Sequence, residues 1–183
     1  MTDTLFGRQF EQSYDNLYAI DQLLLKVRPK SIIEVGTGEG GFALYLATFA
    51  TNNLEPGMLV VTFDPEDRNK TKAFLQESST HVDFIQASVL EWSQTIQEFI
   101  ENNKPAIVFC DPTKKFPIAK EVAGWLSLGD YLLVHDFLHP ENGGMTEDEA
   151  KVIEAMEYER YQQEKWAERG SWLCLRKTNG GLS

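Results

Sequence analysis

Eight consecutive residues, Glu34-Val35-Gly36-Thr37-Gly38-Glu39-Gly40-Gly41, join a carboxyl to a dense set of glycines, after an apolar stretch and before a segment of helical spacing. That combination suits a ligand that must come close to backbone N–H groups. A strand-to-helix turn leaves those donors unpaired, and glycine removes the Cβ that would block the approach. Two spacings overlap here. Gly36, Gly38 and Gly41 fit the G-x-G-x-x-G of dinucleotide sites, whereas Glu34, Gly36, Gly38 and Gly40, with Thr37 inside the turn, fit acid-x-G-x-G-x-G. A tight turn without ligand is the third reading. Asp64 ends the later run VVTFDPED, where a carboxylate can accept hydrogen bonds from both hydroxyls of an adenosine ribose. Followed by Pro65 it is also a good helix N-cap, and the two roles are compatible. Ser88 closes a third such run at the position that would meet an adenine ring.

The elements that must hold these residues are visible as short apolar runs. SIIEV at 31–35, MLVVTF at 58–63, VDFIQ at 82–86, AIVFC at 106–110 and YLLVH at 131–135 read as strands. Helical spacing is found between them near 40–51, 67–77, 91–102 and 117–127, and an opening helix runs from Tyr14 to Val27 before Pro29. Alternating strands and helices predict a doubly wound, mostly parallel α/β sheet of Rossmann-like type. After residue 137 a capping box at Thr146 to Glu149 introduces one more helix. YERYQQ at 158–163 and SWLCLRK at 171–177 then complete seven strands with an antiparallel edge. The expectation is one domain over 1–183, with an N-terminal helical extension at 1–30 and a flexible tail at 178–183.

Composition narrows the partners. The chain has 183 residues, 42% of them hydrophobic, and a net charge of −11 from 17 basic and 28 acidic residues, with no basic stripe to grip a phosphate backbone. Nucleic acid is excluded as an expected partner, and so is a membrane, because no apolar run reaches spanning length. Cys110 and Cys174 lie in apolar runs and read as buried thiols. With no secretory leader in the first residues, a cytoplasmic location is expected.

Glu34 weighs on the choice of cofactor. Dinucleotide folds place an apolar residue two positions before the first glycine, whereas S-adenosylmethionine sites of class I methyltransferases carry an acid there. The run QSYDNLYAIDQLLLKVRPKSIIEVGTGEGGFALYLATF, with its helix, proline, I-I-E-x-G-T turn and Gly-Gly pair, resembles the opening of the cephalosporin hydroxylase and rhamnosyl O-methyltransferase family. VVTFDPED, FIQASVLEW, IVFCDP and LGDYLLVHDF follow in that family's order, so the resemblance covers roughly residues 13–137. It implies S-adenosylmethionine as cofactor, held by Glu34, Gly36, Thr37, Gly38, Gly40, Asp64, Ser88 and Asp111, and methyl transfer to a hydroxyl of a small molecule or sugar.

The same resemblance implies a divalent metal, magnesium or manganese, on Asp111, His135 and Asp136. The pattern departs from the family in two places: His135 stands where an acid is usual, and Asp-Pro-Thr-Lys replaces an Asp-Ser-Asp-His-like block. Imidazole is a poor magnesium ligand and a good one for manganese, iron or zinc. Lys114, three residues after Asp111, has the spacing of the proton-accepting lysine in the related catechol enzymes, and His135 is a second candidate base. Each has a plainer reading, Lys114 as a solvated charge beside Lys115 and His135 as a hydrogen-bonded core histidine. His139 lies in the following loop and His81 at the opposite sheet end. The competing functions are a cofactor-binding module without turnover, a nicotinamide-dependent oxidoreductase and a structural protein with an empty pocket. Segment 171–177 or the first helix could pair two copies into a homodimer.

Overall fold

The structure is a computed structural model that describes residues 3–5, 7–10, 12–66, 68–79, 81–163, 166 and 172–179. It opens with a small hairpin, β1 (Asp3–Leu5) and β2 (Arg8–Phe10), turning at Gly7. The helical extension expected over 1–30 thus carries this hairpin ahead of its helix, which the sequence did not show because strands of three residues are too short for an alternating pattern. Helix α1 (Tyr14–Val27) follows, capped by the Ser13 side chain on the Asn16 N–H at 3.2 Å and closed by left-handed Arg28 just before Pro29.

The main sheet contains β3 (Ser31–Val35), β4 (Val60–Phe63), β5 (Val82–Ile85), β6 (Ala106–Cys110), β7 (Tyr131–Val134), β8 (Tyr158–Arg160) and β9 (Leu173–Lys177). Their order is β5-β4-β3-β6-β7-β9-β8. Strands β3 to β7 pair in parallel, and β9 pairs antiparallel with both β7 and β8. Segment 173–177 therefore has both edges paired, which removes it as a strand that could join a second copy. Residues 164, 165 and 167–171 and most of the expected tail lie outside the described residues.

Buried strands alternate between two apolar layers, as parallel sheets covered on both faces must. Ile33, Val35, Val108, Cys110, Leu132 and Val134 face one layer, with Ile96 and Ile100 of α4 (Ser93–Asn102) and Val122 of α5 (Lys115–Ala123). Ile32, Val60, Ile107, Phe109, Leu133 and Cys174 face the other, against α1 and α2 (Gly41–Asn53). Cys110 and Cys174 are buried free thiols, one in each layer, and burial raises the pKa of both. Helix α3 (Asn69–Ser78) follows β4, and α6 (Glu147–Glu154) carries the capping box at Thr146 and Glu149.

One boundary matters for the site. Helix α5 begins at Lys115, two residues before the expected start, because Pro117 in a first helical turn has no intrahelical N–H bond to lose. The helix also ends at Ala123, short of the expected 127.

Candidate active site

Strand order reverses between β3 and β6, and the loops at the carboxyl ends of β3, β4, β6 and β7 meet at that point. The glycine-rich turn is fastened there from two sides. The Gly36 N–H donates to the Phe63 carbonyl at 2.8 Å, and the Asp111 N–H donates to the Val35 carbonyl at 2.7 Å. Gly36 has φ +100°, and a Cβ on it would lie 2.4 Å from the Asp111 carbonyl oxygen, so only glycine lets the two loops touch. Gly38 (φ +53°) faces open space, whereas Gly40 packs against Thr71 and Leu75 of α3 and caps α2. Of the glycines expected at the cofactor, Gly40 thus serves helix packing.

Asp64 is buried beside this turn. Its Oδ2 accepts the Gly38 N–H at 3.0 Å and lies 3.3 Å from Arg68 Nε, while Oδ1 accepts the Glu66 N–H at 3.0 Å. This is an Asx turn and corrects the expected N-cap, because α3 starts only at Asn69 with Arg68 at its N-cap position; the Asp64 side chain is tied instead to the glycine turn. Beneath lies a chain of buried oxygens: Thr37 Oγ1 is 2.6 Å from Thr62 Oγ1, and the Thr62 hydroxyl donates to Glu34. Burial dominates at Glu34. It pushes the carboxyl from 4.5 up to about 8, helped by the nearby Asp111 and Asp64 charges and opposed by the Thr62 bond. Ser88 accepts the Leu90 N–H at 3.3 Å and starts a short 3₁₀ turn, Val89–Trp92, at the end of β5.

The second half of the site lies just past β6 and β7. The His135 N–H bonds the Cys110 carbonyl at 3.1 Å, which sets the imidazole against the Asp111 loop. Asp111, His135 and Asp136 each present a donor atom within 4.8 Å of the others, with His135 Nδ1 3.2 Å from Asp111 and 3.6 Å from Asp136. The His135 ring also packs on Trp172, centroids 4.7 Å apart, and the Trp172 indole N–H donates to buried Gln12 at 2.8 Å. Burial acts to lower the pKa of His135. The Asp111 hydrogen bond and the charges of Asp111 and Asp136 outweigh it, so the net direction is upward.

Lys115 completes the cluster. Its Nζ lies 3.2 Å from Asp111 and 3.0 Å from Asp136, and its side chain is only 4% exposed. Burial again acts to lower the pKa, and the two aspartates turn the net shift upward. Lys114, the lysine singled out by spacing, is exposed at the N-cap position of α5, so the structure brings its neighbour into the cluster instead. Loop 139–144 closes over this face. A Cβ on Gly143 would sit 2.1 Å from the Thr113 carbonyl oxygen, and one on Gly144 would sit 1.8 Å from that of Asp136. His139 pairs with Glu141 in that loop, exposed and apart from the cluster. The sequence reading missed Lys115, Thr62, Arg68 and Trp172. Only Lys115 had a local signal, as half of a lysine pair.

In donor type this cluster fits a divalent cation, because two carboxylates and an imidazole can converge, and the imidazole favours manganese over magnesium. The turn's chemistry fits a cationic adenosyl cofactor: buried carboxyls Glu34 and Asp64 border it, and the space at Gly38 is open.

Sheet order, glycine turn and strand-end acids together define a class I methyltransferase fold. More narrowly, the chain belongs to the Rhamnosyl O-methyltransferase/CmcI family, whose sequence profile matches residues 1–157. Rhamnosyl O-methyltransferases of Mycobacterium tuberculosis (strain H37Rv) and Mycobacterium bovis are 26% identical to it over 167 residues. Those alignments cover 85% of this chain, which spans 66% of the relatives' length. Among solved structures, CmcI without ligand and CmcI with Mg and SAM both superpose with a TM-score of 0.74, covering 97% of this chain and 77% of theirs, at 16% and 17% identity. An O-methyltransferase from Bacillus cereus in complex with SAH gives a TM-score of 0.59 at 14% identity, covering 91% of this chain and 83% of its own.

Proposed function

We propose that this chain is an S-adenosylmethionine-dependent O-methyltransferase that methylates a hydroxyl of a small molecule or sugar. The observation that carries the reading is the contact between its two halves. The position of a Gly36 Cβ lies 2.4 Å from the Asp111 carbonyl, so a cofactor cradle and a cluster able to hold an acceptor hydroxyl share one wall. In the mycobacterial relatives the name specifies a rhamnosyl acceptor, and a sugar hydroxyl is the first class to test here.

When bound, the cofactor supplies an electrophilic methyl group on a sulfonium, transferred by in-line displacement. The fold's task is alignment, which provides most of the rate in such a reaction. Gly36 and Gly38 offer close backbone approach, Asp64 takes the ribose hydroxyls in place of Arg68, and Ser88 lies at the adenine end. Glu34 places a titratable carboxyl under the turn, where a cationic ligand would draw it into its charged form. Without metal, His135 donates Nδ1–H to Asp111 and packs on Trp172, which leaves Nε2 as the nitrogen that would accept the acceptor's proton; with metal bound it would serve as a ligand instead. Asp111, His135 and Asp136 would hold a divalent cation, manganese or magnesium, which supplies Lewis-acid polarisation of the acceptor oxygen. Lys114 has no place in this scheme, being exposed outside the cluster.

The whole chain 1–183 is read as one cofactor-binding unit. The free thiols accord with a cytoplasmic setting, and among the described residues no helix is long and apolar enough to cross a membrane. If two copies pair, α1 is the element that offers a face: Tyr14 is 84% exposed, and Tyr18 and Leu25 are exposed beside it. Parallel calorimetric titration with S-adenosylmethionine, S-adenosylhomocysteine and NAD, followed by a methyl-transfer screen over sugar and phenol hydroxyls with and without Mn²⁺, tests the reading. Binding of both sulfur ligands with turnover on a hydroxyl is expected. Binding without turnover on any acceptor would favour a module that has lost catalysis, and preference for NAD would overturn the cofactor.

A further inference from the structure

The Asp111 and Asp136 carboxylates lie close together, and in this chain a cation is built in beside them. Lys115 Nζ lies within hydrogen-bond distance of both Asp111 and Asp136, at 3.2 and 3.0 Å, on a side chain that is almost wholly buried. These are the same two carboxylates that, with His135, form the group able to hold a metal ion. An ammonium and a divalent cation drawn to the same two carboxylates compete, since like charges a few ångströms apart in a poorly screened site repel each other.

The lysine is held there by more than its charge. Lys115 is the first residue of α5, and its backbone N–H lies 3.4 Å from the Gly143 carbonyl, so the loop over the site fixes the base of the side chain. Asp136 is held at φ +54° and is packed under Gly144, where any Cβ would collide with its carbonyl. The carboxylates are thus placed by backbone geometry, and the ammonium fills the gap they leave.

We infer that Lys115 is an internal competitor for the divalent cation at Asp111, His135 and Asp136, so that metal enters this site only by displacing the Lys115 ammonium. The inference rests on reading this cluster as the acceptor site. It separates this chain from one that presents its acids free to metal: here the metal-free site already carries one positive charge, and the identity of residue 115 sets how much metal is needed to replace it.

The experiment is calorimetric titration of the full chain with Mn²⁺, comparing the wild type with Lys115→Met and with Lys120→Met, an exposed lysine on the same helix that loses the same charge away from the cluster. Lys115→Met should bind Mn²⁺ about 10- to 100-fold more tightly than the wild type, the size of effect that groups around a metal's ligands commonly have. Lys120→Met should match the wild type, and adding Asp111→Asn to Lys115→Met should abolish the gain. Equal or weaker Mn²⁺ binding by Lys115→Met overturns the inference, as does an equal gain in Lys120→Met. Should Lys115→Met not fold, acetylation of the wild type, read by peptide mass spectrometry, decides. Lys115 should become reactive as Mn²⁺ is added while Lys120 stays unchanged, and an unreactive Lys115 across the titration refutes displacement. Titration of the same proteins with S-adenosylhomocysteine keeps the two questions apart. Its binding with no Mn²⁺ gain sinks only the role of Lys115, and its absence sinks the methyltransferase reading whatever Mn²⁺ does.

Discussion

Replacing Glu34 by glutamine keeps the shape of the side chain and the acceptor for the Thr62 hydroxyl, and removes only the ability to ionise. The carboxyl is wholly buried on β3, and its pKa is raised from 4.5 to about 8. An unfolded chain gives up this proton near 4.5, whereas the folded chain keeps it to about pH 8, so across that window the native state binds more protons and stability falls as pH rises. Below the window both states are protonated and the contribution is fully present. The slope from one group approaches about 1.4 kcal/mol per pH unit, so between pH 5 and pH 7.5 the wild type should lose roughly 3 kcal/mol that Glu34→Gln does not. Urea denaturation of both proteins at half-unit steps of pH measures it. Other titrating groups, His135 among them, act alike in both proteins and cancel in the difference. A second readout follows from the ligand. A sulfonium cation arriving at the turn favours the carboxylate, so binding of S-adenosylmethionine near pH 7 should release up to about 0.9 proton, visible as a dependence of the binding heat on buffer ionisation. Glu34→Gln should show no such dependence. Parallel stability profiles would refute the burial argument, and buffer-independent heats in the wild type would refute the electrical contact between Glu34 and the cofactor.

Asp64→Ala removes the acceptor of the Gly38 and Glu66 N–H groups and the proposed ribose contact, and titration should show S-adenosylhomocysteine binding weakened about 10- to 100-fold, the cost of charge-assisted hydrogen bonds. Unchanged affinity would remove Asp64 from the cofactor site. Gly36→Ala pushes a methyl group to 2.4 Å from the Asp111 carbonyl in a left-handed conformation, so denaturation should show a loss of about 1–3 kcal/mol, and cofactor binding should fall with it because the same loop carries both halves. Tyr158→Phe leaves the Ala123 carbonyl without the buried hydroxyl that donates to it at 2.8 Å. Stability should fall by about 1–2 kcal/mol with cofactor affinity intact, since β8 lies at the far edge of the sheet.

The sequence carried the framework because local rules dominate there. Runs such as SIIEV and AIVFC are buried on both faces, so every residue is apolar or small except Glu34, and that exception marks the turn. The glycines were legible for the same reason, although Gly40 turned out to serve packing against α3, a demand only the tertiary structure reveals. Lys115 was hidden by a boundary. Counting three residues from Asp111 selects Lys114, but the chain leaves β6 through an irregular Asp-Pro-Thr segment and enters α5 at Lys115, where the side chain turns inward. Trp172 could not be found by spacing at all: it reaches His135 because β9 inserts between β7 and β8, and its indole partner Gln12 stands 160 residues away.

Charge connects the readable part of the site with the part that was not. In the proposed reaction, a methyl donor of the sulfonium type would bring a positive charge to the turn and lose it on transfer, so the site would have to favour the cation before reaction without trapping it. Four carboxyls, Glu34, Asp64, Asp111 and Asp136, converge on this region, and each has a different means of being held there. Asp64 is held by backbone N–H groups and Arg68, Asp111 and Asp136 share Lys115, and Glu34, buried with only a hydroxyl for support, keeps its proton. On the proposed reading, that last carboxyl would gain charge when the sulfonium arrives and give it up when the neutral thioether is left behind. Lys115 gives the acceptor side the complementary property, a positive charge that is present without metal and can be displaced by one. On these proposals Glu34 and Lys115 are the two buried groups through which the site would change its charge with its ligands.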